Sequence, residues 1–341
     1  MKKLSFVNKI IFGVNSIFAM MLLLSYILPY VSPKSFAFLA VLSLAVPFLI
    51  LSNILFVLYW LMNVKKQLLL SLFVLVIGFK YVGSLYKFSG SKNIQNDNNL
   101  TVMNYNVRLF NLYNWIPSNN VQEEVIDFIK KESPDVISFQ EYHPHEKIDL
   151  SFYKYKYEEL SGKRIKYGQA IFSKFPIVHS GSIEFPDTAN NAIYADIVKG
   201  ADTIRIYNVH LQSLRIDANK EAISQENSGR LIKRASETFK MQQFQSELFL
   251  MHKKESPYKM IICGDFNNTA YSYVYKEIKG DLVDAFNAAG NGFGRTFDFK
   301  YFPIRIDFIL ADKAFRINKF KTYDQKYSDH FPILTKVSLH K

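Results

Sequence analysis

Cysteine is almost absent from this chain of 341 residues, which contains only Cys263. A single cysteine cannot form an intramolecular disulfide, so the fold must be held together by its own core. Acidic residues are nearly absent before residue 100, where the sequence contains one acid, Asp97, and nine lysines. The net charge of +12 therefore divides into +8 (9 − 1) before residue 100 and +4 (33 − 29) after it. Because the later part is only mildly basic, charge gives little support for nucleic-acid binding.

Charged residues are also missing from two long apolar runs, residues 10–30 and 36–62. Each run is long enough, as a helix, to cross a hydrocarbon core of about 30 Å. A third run, residues 68–86, is interrupted by Lys80, which can extend towards the membrane surface. We predict that residues 1–88 form a membrane anchor of about three transmembrane helices, and not a cleaved signal peptide or buried core helices.

The lysines of this segment predict its orientation. If all three runs cross, Lys2, Lys3 and Lys9 lie on the same side as 65–66, while the first loop carries Lys34. The positive-inside rule then places the N-terminus in the cytoplasm and the rest of the chain outside, in an inner or plasma membrane. Loss of the third crossing would reverse this orientation. Residues 89–99 are polar and are expected to form a short linker.

Residues 100–341 contain many strand-like segments and few helical ones. Strand patterns occur at 100–107, 135–139, 169–173, 192–198, 203–209, 260–263, 304–310 and 333–338, and helical spacing at 121–131 and within 218–254. This composition predicts an α/β fold in which two sheets pack face to face with helices outside. Catalytic groups are then expected on loops at one end.

Polar residues stand at the ends of several predicted strands. They fall in YNV (105–107), QE (140–141), NVH (208–210), GDFN (264–267) and SDH (328–330), while RIDF (305–308) places an acid within a strand. Each segment alone has an ordinary structural explanation, such as an Asx-turn or a solvent-facing acid. Their number and their order along the chain favour a shared site.

This order resembles the endonuclease/exonuclease/phosphatase superfamily. The motifs are YNVR, FQE, YGQAIFSKFPI, NVHLQS, GDFN, RIDFIL and SDHFPI, and they cover essentially all of residues 100–340. The resemblance implies a four-layer α/β/β/α sandwich of two mixed sheets, here preceded by a helical transmembrane segment, and a hydrolase acting on phosphoric ester bonds. It is nearest to the deoxyribonuclease, neutral sphingomyelinase and inositol 5-phosphatase branches. Arg108 replaces an acid that is usual in abasic-site endonucleases, which disfavours a base-excision repair role.

The resemblance also implies roles for individual residues. Glu141 and Asn106 would bind Mg²⁺, with Mn²⁺ as the alternative, because such hard cations take oxygen ligands and polarise a phosphoryl oxygen. Asp265 would orient or deprotonate the attacking water, and Asn267 would donate to the phosphate.

The remaining predicted site residues are two histidines, two acids and three substrate contacts. His330 would act as general base or cationic clamp beside Asp329, His210 would stabilise the phosphate, and Asp307 would orient a catalytic histidine or join the metal shell. We expect Asn208, Arg108 and Arg295 to contact the substrate.

Three interpretations of function stay open. The enzyme could hydrolyse nucleic-acid phosphodiesters outside the cytoplasm, or phospholipid or sphingolipid headgroups held close to it by the bilayer. Residues 151–157 and 163–167 interleave tyrosine with basic residues, which suits base stacking, a headgroup layer or an exposed hairpin without a ligand. A catalytically silent binding module is disfavoured because the key residues of the resemblance, Glu141, Asp265, Asn267 and His330, are all present.

Overall fold

The computed structural model describes residues 4–88, 94, 98–118, 120–214 and 225–339, with the side chains of 225–228 left aside. Three features of the sequence analysis fall partly outside these described residues. They are the N-terminal Lys2 and Lys3, most of the predicted linker (89–93 and 95–97), and the first part of the predicted long helix (218–224).

The N-terminal segment is helical and apolar. Its helices are α1 (Phe6–Ser25), α2 (Pro33–Val41), α3 (Val46–Met62), α4 (Leu68–Ile77) and α5 (Phe79–Leu85), with 3₁₀ turns at Leu28–Tyr30 and Leu42–Ala45. Two stretches, Phe6–Tyr30 and Pro33–Met62, are long and apolar enough to cross a membrane. The predicted third run is bent by 83° between α4 and α5, so a third crossing is present only if this pair counts as one. The bend falls at Gly78, where a Cβ would overlap the ring of Tyr26.

The surface of this helical segment is apolar and its interior holds polar groups. Phe6, Leu55 and Phe73 are 77%, 64% and 62% exposed. Such exposure of apolar side chains is unfavourable in water and favourable in lipid. Inside, Trp60 Nε1 donates to Asn15 Oδ1 at 2.8 Å, and Asn15 Nδ2 donates to Ser71 Oγ at 2.5 Å. Polar groups paired between helices in this way are typical of membrane bundles.

The rest of the described chain forms two large sheets. The strands are β1 (Tyr86–Lys87), β2 (Leu100–Asn106), β3 (Val136–Tyr142), β4 (Tyr155–Ser161), β5 (Tyr167–Ser173), β6 (Ile177–Glu184), β7 (Asn191–Lys199), β8 (Asp202–His210), β9 (Lys259–Asp265), β10 (Val283–Asp284), β11 (Gly292–Phe293), β12 (Asp307–Ala311), β13 (Phe315–Thr322) and β14 (Ile333–Leu339). One sheet has the order β10-β12-β9-β8-β7-β6 and the other β13-β14-β2-β3-β5-β4. Both are mixed, because β2 pairs with β3 and β8 with β9 in parallel while the other neighbours are antiparallel.

Helices cover the outer faces of both sheets. They are α6 (Val121–Glu132), α7 (Gln225–Lys254) and α8 (Tyr273–Lys279). The short α9 (Ala285–Ala289) instead packs Ala285, Phe286 and Ala289 into the core between the sheets. Between the sheets lies an aliphatic core that includes Val102, Ile206 and Ile261. The α6 helix packs Ile129 on one sheet, and the α7 helix packs Phe249 on the other. This arrangement confirms the predicted four-layer α/β/β/α sandwich.

We call the N-terminal helical segment with β1 (residues 6–87) the anchor, after its predicted role, and two of its contacts with the sandwich show how they pack together. At the first, β1 pairs antiparallel with β11, and Tyr271 of the sandwich is buried in the anchor cluster, where its hydroxyl donates to the carbonyl oxygen of Tyr81 at 3.2 Å. At the second, Ser32 Oγ donates to Gln243 Oε1 of α7 at 2.8 Å. The loop between α1 and α2 and the end of α5 therefore lie on the same side, against the sandwich.

A buried ion pair between β10 and the start of β12 yields a stability prediction. Asp284 accepts hydrogen bonds from Arg305 at 2.7 Å and from the Tyr275 hydroxyl at 2.6 Å. Asp284→Ala would leave the buried guanidinium unpaired and should lower the free energy of unfolding by about 3–5 kcal/mol. The measurement is urea unfolding of the full-length protein in detergent. Asp281→Ala is the matched control, because this aspartate is exposed and its loss should not move the midpoint. Equal midpoints for both variants would contradict the prediction.

Candidate active site

Strand pairing brings polar side chains to one end of the sandwich. In one sheet, β8 and β9 place His210 opposite Asp265, and β9 and β12 place Asp265 opposite Asp307. In the other, β2 and β3 run in parallel; β2 ends with Asn106, and Glu141 is the last residue but one of β3. Parallel neighbours end at the same edge, so these five residues meet although they are far apart in sequence.

The carboxylate of Asp265 lies at the centre of the group. Its Oδ2 atom is 3.1 Å from Asn106 Nδ2, 3.2 Å from Asn267 Nδ2, and 3.7 Å from Nε2 of both His210 and His330. Its Oδ1 atom accepts the backbone N–H of Asn267 at 2.8 Å. We refer to these residues, together with the other predicted site residues that contact them, as the catalytic cluster: Asn106, Glu141, His210, Asp265, Asn267, Asp307 and His330.

His330 is held by Asp307. Its Nδ1 atom is 2.9 Å from Asp307 Oδ2, so Nε2 faces Asp265. The backbone N–H of Asp307 donates to Thr296 Oγ1 at 3.0 Å, and the ring of Phe297 packs edge-on against the imidazole at 5.1 Å between centroids. The Oδ1 atom of Asp307 and Nε2 of His210 are buried without a hydrogen-bond partner among the described residues.

Glu141 and Asn106 are joined directly. Asn106 Nδ2 donates to Glu141 Oε1 at 3.3 Å, and the same amide bridges to Asp265. Nearby, Arg108 forms an ion pair with Asp329 at 3.0 Å and stacks on the ring of Trp115 at 4.4 Å. Arg108 thus offsets the charge of the neighbouring Asp329.

The other two predicted substrate contacts lie at the margin of the cluster. Asn208 is fully buried beneath it, where its amide donates to the carbonyl oxygen of Phe139 at 2.7 Å and accepts from Gln140. Arg295 stacks on the ring of Phe331, next to His330, at 4.2 Å. The geometry therefore places Asn208 as a support for the strand ends, while Arg295 lies beside Phe331, the residue after His330.

Burial and mutual charge separate the protonation states of the two histidines. Burial, reinforced by the His330 cation, lowers the pKa of His210 to about 3. Burial would also lower the pKa of His330, but the carboxylates of Asp307 and Asp265 raise it well above its usual value. Near neutral pH His330 is therefore a cation and His210 is neutral, so one can donate a proton or clamp an anion and the other can accept a hydrogen bond.

The acids of the site carry uncompensated negative charge. Burial and the neighbouring Asp307 raise the pKa of Asp265 to about 7, against the effect of the His330 cation. Burial and Asp329 raise the pKa of Glu141. A divalent cation beside these carboxylates would offset the repulsion, and the donors are the oxygens that Mg²⁺ and Mn²⁺ prefer. Atoms of Asp265, Asp307 and His330 also lie within 4.8 Å of one another, so the two carboxylates are close enough to share an ion while His330 stays protonated. The residues present therefore fit a divalent metal.

Comparison with known proteins identifies this arrangement. Residues 103–330 match the endonuclease/exonuclease/phosphatase family. The chain belongs to this family. It is therefore a hydrolase of phosphoric ester bonds, and members of the family generally depend on a divalent metal. Residues 8–85 match a domain of unknown function (DUF8431). No curated protein matches the chain.

Solved structures share the fold of the family domain at low identity. An endonuclease/exonuclease/phosphatase from Beutenbergia cavernae DSM 12333 has a TM-score of 0.53 and 17% identity, over 71% of this chain and 72% of that one. Humanized D. rerio TDP2 has a TM-score of 0.53 and 17% identity, over 71% and 100%. The human Nocturnin catalytic domain with bound sulfate has a TM-score of 0.52 and 16% identity, over 71% and 94%. Such identities show a common architecture.

Two supporting residues of this site, Thr296 and Trp115, were not predicted, and a third, Gln140, was named only as part of a strand-end motif without a role. Thr296 holds the Asp307 backbone, Trp115 lies under Arg108, and Gln140 joins the two sheets by donating to Asn104 at 2.8 Å and to Asn208. Gln140 stands next to Glu141 in the FQE motif, so its position near the site could be predicted from the sequence. Trp115 and Thr296 lie in loops, where a contact with a distant segment leaves no pattern in the sequence.

The raised pKa of Asp265 predicts a pH-dependent stability. The folded pKa of about 7 exceeds the ordinary 3.8, so the carboxyl contributes stability that is present below about pH 4 and is lost as pH rises to 7. In EDTA, Asp265→Asn should therefore become more stable relative to the wild type between pH 5 and pH 8, at about 1.4 kcal/mol per pKa unit at most. Urea unfolding measures this difference. Asp202→Asn, exposed at the other end of β8, should follow the wild type, and a pH-independent difference for Asp265→Asn would refute the assignment.

Proposed function

We propose that the protein is a membrane-anchored, magnesium-dependent phosphodiesterase with nuclease-type activity. The observation that carries this proposal is the convergence of the catalytic cluster around Asp265 Oδ2. Two amides and two imidazoles point at one carboxylate oxygen, which suits a site that holds a phosphate and a water side by side. D. rerio TDP2, a protein with the same fold, has a crystal structure in complex with single-strand DNA product.

The residues suggest a division of roles in hydrolysis. A magnesium ion held by Glu141 and Asn106 would offset charge on the phosphate as it reacts. Asp265 would orient the water for attack in line with the bond that breaks, and would accept the proton of this water. Asn267 holds Asp265 through its backbone N–H. The cationic His330, fixed by Asp307, would donate from Nε2 to a phosphate oxygen or to the leaving oxygen.

Hydrolysis of phospholipid or sphingolipid headgroups is the second candidate, and one contact favours it. The segment that lines His330 at Phe297 begins at β11, which is paired with the anchor strand β1. Phe297, in one wall of the site, therefore lies four positions after the strand that pairs with the anchor. A headgroup leaving the bilayer would meet this wall first.

A substrate panel tests the proposed activity. Full-length protein in detergent should cleave a single-stranded oligonucleotide or bis-p-nitrophenyl phosphate with Mg²⁺ and lose this activity in EDTA. Glu141→Gln and Asp265→Asn should each lower turnover by about 10²–10⁴-fold. Glu146→Gln, exposed five residues after the metal ligand, should keep full turnover. Release of headgroups from phosphatidylcholine or sphingomyelin, without nuclease activity, would favour the second candidate. A folded protein inactive on every substrate would overturn both and support a silent binding module.

The packing of the anchor supports the predicted orientation. The sandwich contacts the loop that contains Ser32, so it lies on the opposite side of the bundle from the start of α1 and from the loop between α3 and α4. That second loop carries Lys65 and Lys66, which the positive-inside rule assigns to the cytoplasm. We infer an integral protein of an inner or plasma membrane, with the catalytic domain on the non-cytoplasmic side.

Cysteine labelling tests this orientation, because the natural Cys263 is buried and should not react. Lys163→Cys is exposed on the sandwich, and Asn63→Cys is exposed in the loop after α3. In sealed cells, a membrane-impermeant maleimide should label the first variant and should label the second only after permeabilisation. The reverse pattern would place the catalytic domain in the cytoplasm.

A further inference from the structure

A cavity of about 660 Å³ lies where the anchor meets the sandwich. Its walls come from the turn after α1, from residues 79–88 and from α8. Among the described residues, its lining shares no member with the catalytic cluster. Its volume lies within the range of small-molecule sites, about 300–1,000 Å³, so it can hold a ligand in its own right.

The charge of the cavity is of one sign. Four lysines line it, Lys80, Lys87, Lys276 and Lys279, and its described lining contains no acid. Lys276 is paired with Glu277, outside the lining, at 2.6 Å. Lys80 and Lys87 have no ion-pair partner in the described part of the chain. Lys279 donates to the carbonyl oxygen of Gly280 at 3.3 Å and likewise has no ion-pair partner among the described residues. Ammonium groups without an acid in the described lining favour an anion.

Apart from Ser84, Asn287 and two glycines, the rest of the lining is apolar or aromatic. Tyr30 packs under the Lys276 ammonium at 4.9 Å, and Phe79 and Phe88 are 72% and 84% exposed. Tyr30 ends the 3₁₀ turn after α1, Phe79 begins α5, which turns by 83° away from α4, and Phe88 follows β1. Aromatic rings and lysines at the ends of apolar helices are typical of the membrane interface. An anion that binds here therefore also meets apolar walls at the level of lipid headgroups.

We propose that this cavity binds an anionic phospholipid of the surrounding bilayer, with its phosphate at Lys80 and Lys87 and its acyl chains along the aromatic wall. A soluble phosphate ester would satisfy the lysines but leave the rings uncovered. The site goes beyond the phosphodiesterase function, since the lipid is a resident ligand that joins anchor and sandwich and is not turned over. Its presence does not depend on the activity of the catalytic cluster.

Native mass spectrometry of the full-length, delipidated protein in detergent tests the proposal. When the two lipids are added with equal chain length and concentration, the bound fraction of phosphatidylglycerol should be at least fivefold that of phosphatidylcholine. Lys80→Gln with Lys87→Gln should remove this preference. Gly83→Leu tests the cavity without a change in charge: Gly83 lines the cavity, a Cβ there meets nothing within 4 Å, and the larger side chain should displace the lipid.

Lys65→Gln with Lys66→Gln is the matched control, because it removes two lysines from the far end of the bundle and should leave phosphatidylglycerol binding unchanged. Equal retention by the wild type and the Lys80/Lys87 variant would overturn the proposal, and so would an equal loss in the control. Glycerol 3-phosphate should not displace the lipid at a hundredfold excess. Displacement would show that a soluble phosphate ester is the ligand. Unchanged thermal midpoints and phosphodiesterase turnover verify that each variant is folded.

Discussion

One carboxylate oxygen organises the functional end of this protein. Asp265 Oδ2 receives two amides and faces two imidazoles, and these groups arrive from both sheets of the sandwich. A shift of β9 by one residue would turn Asp265 to the opposite face of its sheet and separate the group. The aliphatic core between the sheets therefore does more than stabilise the fold: it fixes the strand register on which the site depends. Gly264 contributes, because a Cβ there would overlap the carbonyl oxygen of Val209 on the neighbouring strand.

Burial gives the two histidines of the site opposite characters. Both lose hydration, but only His330 has a carboxylate at hydrogen-bond distance, so it keeps its proton while His210 gives its proton up. Thr296 and Phe297 then fix the Asp307–His330 pair from the loop after β11, the strand that pairs with β1. His330 is therefore a cation and His210 a neutral hydrogen-bond acceptor, because the two imidazoles have different partners.

The features that could be predicted from the sequence are those that depend on a local pattern of residues. Alternating apolar residues located most strands, and the strand-end motifs named the residues that the structure brings together around Asp265. Two kinds of feature escaped prediction. Strands β6 and β13 are partly exposed and carry charged or polar residues on both faces, so their alternation is weak. Contacts such as Arg108 with Asp329 and β1 with β11 join segments more than 200 residues apart, and nothing local records them. The bend at Gly78 depends likewise on the Tyr26 ring of another helix.

The packing of Tyr271 into the anchor cluster and the pairing of β1 with β11 have a kinetic consequence. On the proposed membrane anchoring, an enzyme mounted in this way would not sample the volume that a free chain end allows, and its active site would keep one height above the lipid. Its encounters with substrate on the same membrane would then be two-dimensional, so surface density would govern their rate in place of bulk concentration.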